Sequence, residues 1–474
     1  RRAGAVVDVG RAEHVAHELL EQEQILVRAV VAGDAADGAS ARGALDRGQF
    51  LGHGAQRLVP RARLEVRAAP DQGREGMTKP LHVCVDATSW VNDRGFGRFT
   101  REILKALLAR DEGFRYTLLF DQLPEEALPA AADVLTARTD LGLNQAAVGS
   151  SARSPGYFLK MARLAKSVPY DLFFFPTLYS YFPLLQRKSC VVCYHDATAE
   201  RFPELLFPTR ANHWLWRAKT ALAHLQTTRA MTVSETSAAD LESIHKFPRS
   251  RIDVVTEGAD AAFRVIEDAG LRKRVREFRG IPQDARLLVH IGGMNAHKNI
   301  LGLLKAMPQI IAAEPATHLA IVGDTSGKGF WDNVDELKTF VAATNPLPAH
   351  VHFTGYVSDP DLAELLNASD ALVFPSLWEG FGLPAVEAMS CGIPVLASNR
   401  GGSLPEVVGD AGLLYDPEDP DAIARCITGF LRDDELRQRL AGKALERSRL
   451  FSWSRGAALA EESFRRCHAD AQRR

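Results

Sequence analysis

FPSLWEGFGLPAVEAMSCG runs from Phe374 to Gly392 and holds two glutamates, Glu379 and Glu387, eight positions apart. The apolar run ALVFP (371–375) leads into it and IPVLAS (393–398) follows it. Together they read as strand, loop, helix and strand. Pro384 suits the first turn of that helix, where a missing backbone N–H costs nothing. Gly380 and Gly382 leave the N–H groups at the helix start open to a ligand, so a diphosphate fits there. Glu379 stands before the helix, at the mouth of a cleft, and Glu387 lies about one turn in. A carboxylate beside a phosphate is repelled unless it binds a polyol, so sugar and ribose hydroxyls are its natural partners. A capped helix with an acidic first turn satisfies the same spacing. The residues alone leave both readings open.

The surrounding chain repeats this pattern. LHVCVD (81–86), YTLLF (116–120), DLFFF (171–175), CVVCY (190–194), AMTVS (230–234) and IDVV (252–255) read as strands, with an amphipathic helix at GRFTREILKALLAR (97–110). The pattern then restarts with strands at ARLLVHIGG (285–293), THLAIVG (317–323), VHFTG (351–355) and GLLY (412–415), and helices at NILGLLKAMPQII (299–311) and DLAELLNAS (361–369). Short β-branched runs separated by helices indicate parallel strands covered on both faces. Two such series predict an α/β fold of two doubly wound, Rossmann-like domains facing a cleft, joined near Gly258–Arg272. Ligands bind such sheets at the carboxyl ends of the strands.

Composition bounds the rest. The 474 residues are 46% hydrophobic and 24% charged, with a net charge of −2, which argues against broad nucleic-acid binding. No run approaches the ~18 apolar residues of a transmembrane helix. The six cysteines are scattered, and Cys190 and Cys193 form a lone C-x-x-C on a strand. Buried thiols in a reducing, cytoplasmic compartment are expected, without a metal or redox centre. Residues 1–76 lack Lys, Asn, Thr, Cys, Met, Trp and Tyr, and the first methionine is Met77. The expectation is a native start at Met77, with residues 1–76 a non-native or disordered extension. Domains are expected at 77–262 and 263–450, with a terminal helix at 451–470 returning to the first.

Three motifs fail on inspection. GFGRFT (95–100) has Thr100 where a dinucleotide fingerprint needs its third glycine. GDTSGKG (323–329) is one residue short of a P-loop and ends in Gly329. Asp359-Pro360-Asp361 has a metal-binding D-x-D form but precedes a helix, where acids ordinarily cap. Two basic stretches remain. Arg153, Lys160, Arg163 and Lys166 are interleaved with Phe158, Leu159, Met161 and Leu164, and Arg210–Arg229 carries Trp214 and Trp216. Each fits peripheral contact with an anionic membrane, and each equally fits a helix packed on its own domain.

The E-G-F-G-L-P-x-x-E-A-M-x-x-G-x-P-V pattern at 379–395 resembles the E-x7-E signature of retaining GT-B glycosyltransferases, specifically family 4. In the same order, DRGFGRFTREI (93–103), CYHDATAERFPEL (193–205), TVSETSAADL (232–241), VVTEGADAAFR (254–264), IGGMNAHKNILGLLKA (291–306) and FTGYVSDPDLAELLNASD (353–370) resemble that family's other segments. The resemblance implies a nucleotide diphosphate sugar as co-substrate, no cofactor and no metal. It implies ribose on Glu387 and the transferred sugar on Glu379. Backbone contacts would come from Phe381, Gly382 and Leu383, and Lys298 would neutralise the leaving diphosphate. Gly95 and Gly97 would let backbone approach the donor phosphates, Gly292 and Gly293 would form the phosphate loop, and Val357 would lie against the base. His195 would face the sugar. Met294 stands where an accompanying phosphate arginine is common, and Glu257 where Asn is common, which reads as tolerated hinge variation.

The function expected is therefore transfer of a hexose, with a lean to mannose from GDP-mannose, to a glycan or lipid-linked glycan in cell-surface polysaccharide synthesis. The alternatives are a soluble-acceptor enzyme, a silent nucleotide-sugar binder and, less favoured, a sugar-nucleotide epimerase.

Overall fold

A computed structural model describes residues 79–92, 95–110, 112–137, 155–186, 188–207, 209–325 and 333–473. The expected extension over residues 1–76 and the basic Arg153 lie outside them. The first sheet has seven strands: β1 (Leu81–Asp86), β2 (Phe114–Phe120), β3 (Ala132–Thr136), β4 (Leu172–Phe175), β5 (Ser189–Cys193), β6 (Arg229–Thr232) and β7 (Ile252–Val254). All pair in parallel, in the order β3-β2-β1-β4-β5-β6-β7. The second sheet has six: β8 (Arg286–Ile291), β9 (Thr317–Val322), β10 (Val351–Gly355), β11 (Ala371–Phe374), β12 (Val395–Ser398) and β13 (Gly412–Tyr415). Its order is β10-β9-β8-β11-β12-β13, again parallel. Central strands such as β4 and β12 are buried throughout, which is why they read as unbroken apolar runs. Strand β3 (ADVLT) escaped the sequence reading because it is a half-buried edge strand with one apolar alternation.

Both sheets reverse direction of winding beside their first strand, between β1 and β4 in one and between β8 and β11 in the other. A crevice opens beyond the strand ends at such a point. The segments after β1, β8 and β11 are the GFG, GGMNAHK and EGFG stretches, so topology alone sends them to one place.

Eight helices matter to the site and its surroundings: α1 (Gly95–Leu108), α2 (Pro155–Lys166), α3 (Arg210–Gln226), α4 (Glu235–Ser243), α5 (Ile300–Ala313), α6 (Asp359–Asn367), α7 (Leu383–Ser390) and α8 (Trp453–Gln472). The terminal helix α8 is built into the first domain. Phe464 packs on Phe174 and Phe114, at 5.0 and 6.1 Å between ring centroids, and Trp453 meets Phe99 of α1 at 5.9 Å. Buried Asp253 of β7 ties the same helix down, accepting from Ser463 Oγ at 2.7 Å and Arg466 at 3.0 Å while it pairs with Arg229. A Cβ on Gly258 would lie 2.6 Å from the Trp453 nitrogen, so the start of α8 presses directly on the inter-domain connection.

The basic helix α2 presents Lys160, Arg163 and Lys166 to solvent while Met161, Ala162 and Ala165 are buried and Phe158 and Leu164 pack on the core. Its amphipathic pattern is spent on its own domain. Helix α3 differs: Trp214 is 67% exposed and Leu225 81%, with Leu215 also outward. Among the described residues no helix is long and apolar enough to cross a membrane.

Candidate active site

Helix α7 begins at Gly382, whose φ of +89° is a left-handed conformation that suits glycine. Pro384 occupies its first turn. Phe381 turns its ring into the core against Phe451, and Leu383 is buried. Glu387 is 1% exposed.

Position 380 has no room for a side chain. A Cβ there would stand 2.3 Å from the His195 carbonyl oxygen, across the domain boundary. The Gly380 carbonyl accepts from Ser234 Oγ at 2.7 Å and Ser237 Oγ at 3.1 Å, and Ser237 Oγ also reaches the His195 carbonyl at 3.0 Å. Beside it, Glu406 accepts from Glu235 N at 3.0 Å and from Thr236 N at 3.1 Å, capping α4 with a carboxylate from the other domain. The V-S-E-T-S stretch is thus a docking point between domains.

Glu379 and Lys298 meet over the second sheet. Lys298 Nζ donates to both carboxylate oxygens, at 2.7 and 2.9 Å. The loop after β8 is fixed to the loop after β11 by Leu377 N donating to the His297 carbonyl at 2.8 Å, and Asn299 Nδ2 reaches the Pro417 carbonyl at 2.7 Å. Burial pushes the Glu379 carboxyl up, and the Lys298 ammonium beside it outweighs that, holding the group below its ordinary range. His290 and His297 are pushed down to about 4 by burial, with Lys298 adding to it, so both are neutral. Gly292 lies near the Lys298 stem, and its carbonyl would clash at 2.1 Å with a Cβ on Gly323; Gly293 packs against Asn295.

Glu387 is closed by Arg98, from the first turn of α1 in the other domain. The same guanidinium pairs with Asp359 at the start of α6. Burial pushes the Glu387 carboxyl up to about 7, with Arg98 acting against that and Asp359 and Glu257 adding to it. The Asp359-Pro360-Asp361 stretch is therefore an ion-pair partner within the first turn of α6, and the cap is Ser358, whose Oγ accepts from Asp361 N at 3.4 Å and donates to the Asp361 carboxylate at 2.7 Å. Among the described residues no group of three or more His, Cys, Asp or Glu side chains is arranged to hold a metal ion.

His195 lies at the seam, edge-on to Phe99 at 4.7 Å. Its two ring nitrogens face protein acceptors, Nε2 at 3.0 Å from the Pro176 carbonyl and Nδ1 at 3.7 Å from Glu257. Burial alone would push the imidazole down; Cys193 and Glu257 reverse the sign and hold it well above its ordinary value. With Asp196, Tyr179, Tyr194 and Trp216 it lines a small pocket in the first domain.

The structure thus pairs Lys298 with Glu379 at one end of the EGFG loop, buries Glu387 on the helix that follows, and sets the His195 carbonyl against Gly380 between them. Gly97 serves local packing: a Cβ there would sit 2.0 Å from the Asn92 carbonyl oxygen. Gly95 has open space around it, and Val357 is buried in the core beside Tyr356, which is 74% exposed. The sequence reading missed Arg98 and set Glu257 aside as hinge variation. Glu257 is 6% exposed and faces His195, so the hinge reading does not describe its place. A carboxylate beside a glycine that cannot accept a Cβ was the available signal, because such backbone is buried and a buried charge requires a partner.

Residues 94–263 match the family described as Glycosyltransferase Family 4, and residues 272–447 match Glycosyl transferases group 1. The chain belongs to these family 4, group 1 glycosyltransferases. O-antigen chain mannosyltransferase B of Escherichia coli is 35% identical over 223 residues, covering 47% of this chain and 56% of that relative. A D-inositol 3-phosphate glycosyltransferase of Nocardioides sp. is 33% identical over 252 residues, covering 50% of this chain and 53% of the relative. The chain thus spans about half the length of the curated relatives it matches. The solved structure of sucrose-phosphate synthase from Thermosynechococcus elongatus superposes with a TM-score of 0.64 at 20% identity, over 83% of this chain and all of that one. Anabaena HepE in complex with UDP and glucose gives 0.63 at 21% identity, over 81% and 99%. Both establish for this glycosyltransferase-family chain the GT-B arrangement of two Rossmann-like domains.

Proposed function

We propose that this chain is a retaining glycosyltransferase that moves a mannosyl group from GDP-mannose to a glycan acceptor in cell-surface polysaccharide synthesis. The observation that carries the reading is the pairing of Lys298 with Glu379 at the start of α7, beside buried Glu387. A nucleotide sugar matches this set group for group. Hydroxyls of ribose and sugar donate to Glu387 and Glu379, and the diphosphate takes Lys298 and the N–H groups at the head of α7. The identity with a relative named as an O-antigen chain mannosyltransferase supports mannose and a surface glycan.

In the step itself the acceptor oxygen bonds to the anomeric carbon on the face from which the phosphate oxygen leaves. The acceptor proton passes to that departing oxygen. Lys298 stabilises the negative charge that grows on the diphosphate, an interaction stronger in the transition state than before it. Glu379 is held by Lys298 and orients the sugar, and it is given no role as nucleophile. His195, with Nε2 on the Pro176 carbonyl and Nδ1 toward Glu257, is held in place on the first domain's side of the seam. Domain closure around Gly380 excludes water and limits donor hydrolysis. The acceptor enters from the first domain, where outward Trp214, Leu215 and Leu225 of α3, with Arg210 and Arg217, fit peripheral contact with an anionic membrane carrying a lipid-linked glycan.

The test is transfer from a panel of nucleotide sugars to glycan acceptors, with the new linkage analysed by NMR. A linkage with the donor's anomeric configuration is expected; an inverted linkage refutes the retaining course. Donor binding without transfer to any acceptor makes the chain a nucleotide-sugar binder. Flotation with anionic vesicles tests the surface, with loss of binding in Trp214→Ala expected.

A further inference from the structure

The two glutamates of the opening stretch share one feature. Each is closed on a cation from a different element, Glu379 on Lys298 and Glu387 on Arg98. Arg98 reaches Glu387 and Asp359 from the opposite domain, and its side chain is 20% exposed against 2% for Glu387. A nucleotide sugar reverses these partnerships. Its hydroxyls are donors and compete for the carboxylates, whereas its diphosphate is an acceptor and competes for the cations.

We propose that Arg98 is an exchangeable counter-ion of the donor site, which neutralises Glu387 until the ribose hydroxyls take that carboxylate and then passes to the diphosphate. This rests on the donor-site reading given above. Hydroxyls carry no charge, so a ribose that displaces Arg98 from Glu387 leaves the guanidinium with partly exposed Asp359 as its partner, and the diphosphate is the incoming anion that can take the vacated place. Two cations, Lys298 and Arg98, then face the two negative charges of the diphosphate. The planar fork of arginine suits phosphate oxygens as well as it suits carboxylates. Arg98 lies in the first turn of α1, where the helix carries no acidic residue that would hold it back. Because it belongs to the opposite domain, the exchange also ties donor binding to closure.

Calorimetry with a nucleoside, its monophosphate and its diphosphate separates the roles, using the best-bound base on full-length wild type, Arg98→Gln and Arg98→Lys. The Gln variant is expected to lose about tenfold or more in diphosphate affinity beyond any loss it shows for the nucleoside, since Arg98 also helps keep Glu387 ionised. Arg98→Lys, which keeps the charge, is expected to recover part of the diphosphate affinity. Equal losses for nucleoside and diphosphate, or no change in either, overturn the exchange while the donor-site reading stands. Failure of wild type to bind any nucleotide overturns both.

Discussion

Lys298 Nζ lies 2.7 and 2.9 Å from the two carboxylate oxygens of Glu379, although the residues sit on loops after different strands of the second sheet. Their carrier strands β8 and β11 are neighbours at the winding reversal, which is why the loops converge. The pair is four-fifths or more buried at both side chains, so neither charge is well solvated alone.

Lys298→Met therefore leaves Glu379 a buried, unpaired carboxylate and is expected to destabilise the protein by about 3 kcal/mol, near the lower end for a broken buried pair. Glu379→Gln added to it restores part of that loss, giving a double-mutant cycle with a clear coupling term. Urea unfolding measures it. The sign with pH follows from the depressed carboxyl: the pair's stabilisation is present above the ordinary value of 4.5 and is lost as pH falls below it. Additive losses in the cycle would refute the coupling.

Glu387 has the opposite sign. Burial pushes its carboxyl from 4.5 up to about 7, so its ionised form costs stability increasingly as pH rises between those values. Ribose hydroxyls bind best to the ionised form. Donor affinity is expected to rise with pH until about 7 and level off above it, and Glu387→Gln is expected to flatten the profile. Calorimetry in buffers across that span checks both.

His195 titrates high because Cys193, and after it Glu257, which faces Nδ1 at 3.7 Å, outweigh the downward push of burial. Glu257→Gln is expected to bring the imidazole down, read by NMR of its ring carbons. The charged imidazole contributes stability that is full below the ordinary 6.5 and lost as pH rises through the higher folded value. An unmoved His195 resonance in the variant would show that Glu257 does not hold the charge.

Gly380→Ala places a Cβ against the His195 carbonyl, a backbone atom that cannot rotate away. Closure of the domains on each other is expected to suffer, with transfer falling at least about tenfold and little change in unfolding of either domain. Transfer rates and small-angle scattering check this. A compact, active variant would contradict the close approach.

Much of this was legible in sequence, and the limits have physical causes. β11 and α7 read directly, because a buried apolar strand followed by Gly and Pro admits few other structures. Glu379 and Glu387 stood out because carboxylates at a helix start after a buried strand fall at a strand-end crevice, whereas Lys298 stood out only through the family resemblance. Arg98 did not, because its partners lie 261 and 289 positions away and depend on how the domains face each other. No local spacing encodes that. The basic pattern of α2 was visible but ambiguous: periodicity shows an apolar face and says nothing of whether protein or lipid covers it.

The proposed seat of the nucleotide sugar is the Glu379–Glu387 stretch. The most direct measurement is calorimetry with UDP-, GDP-, ADP- and dTDP-sugars on the wild type and Glu387→Ala. Selective binding to one base is expected, with the mutant weakened by about 1.5–3 kcal/mol, roughly ten- to hundredfold. Folded wild type that binds none of the four would mean that GFGLPAVE is only the start of a helix.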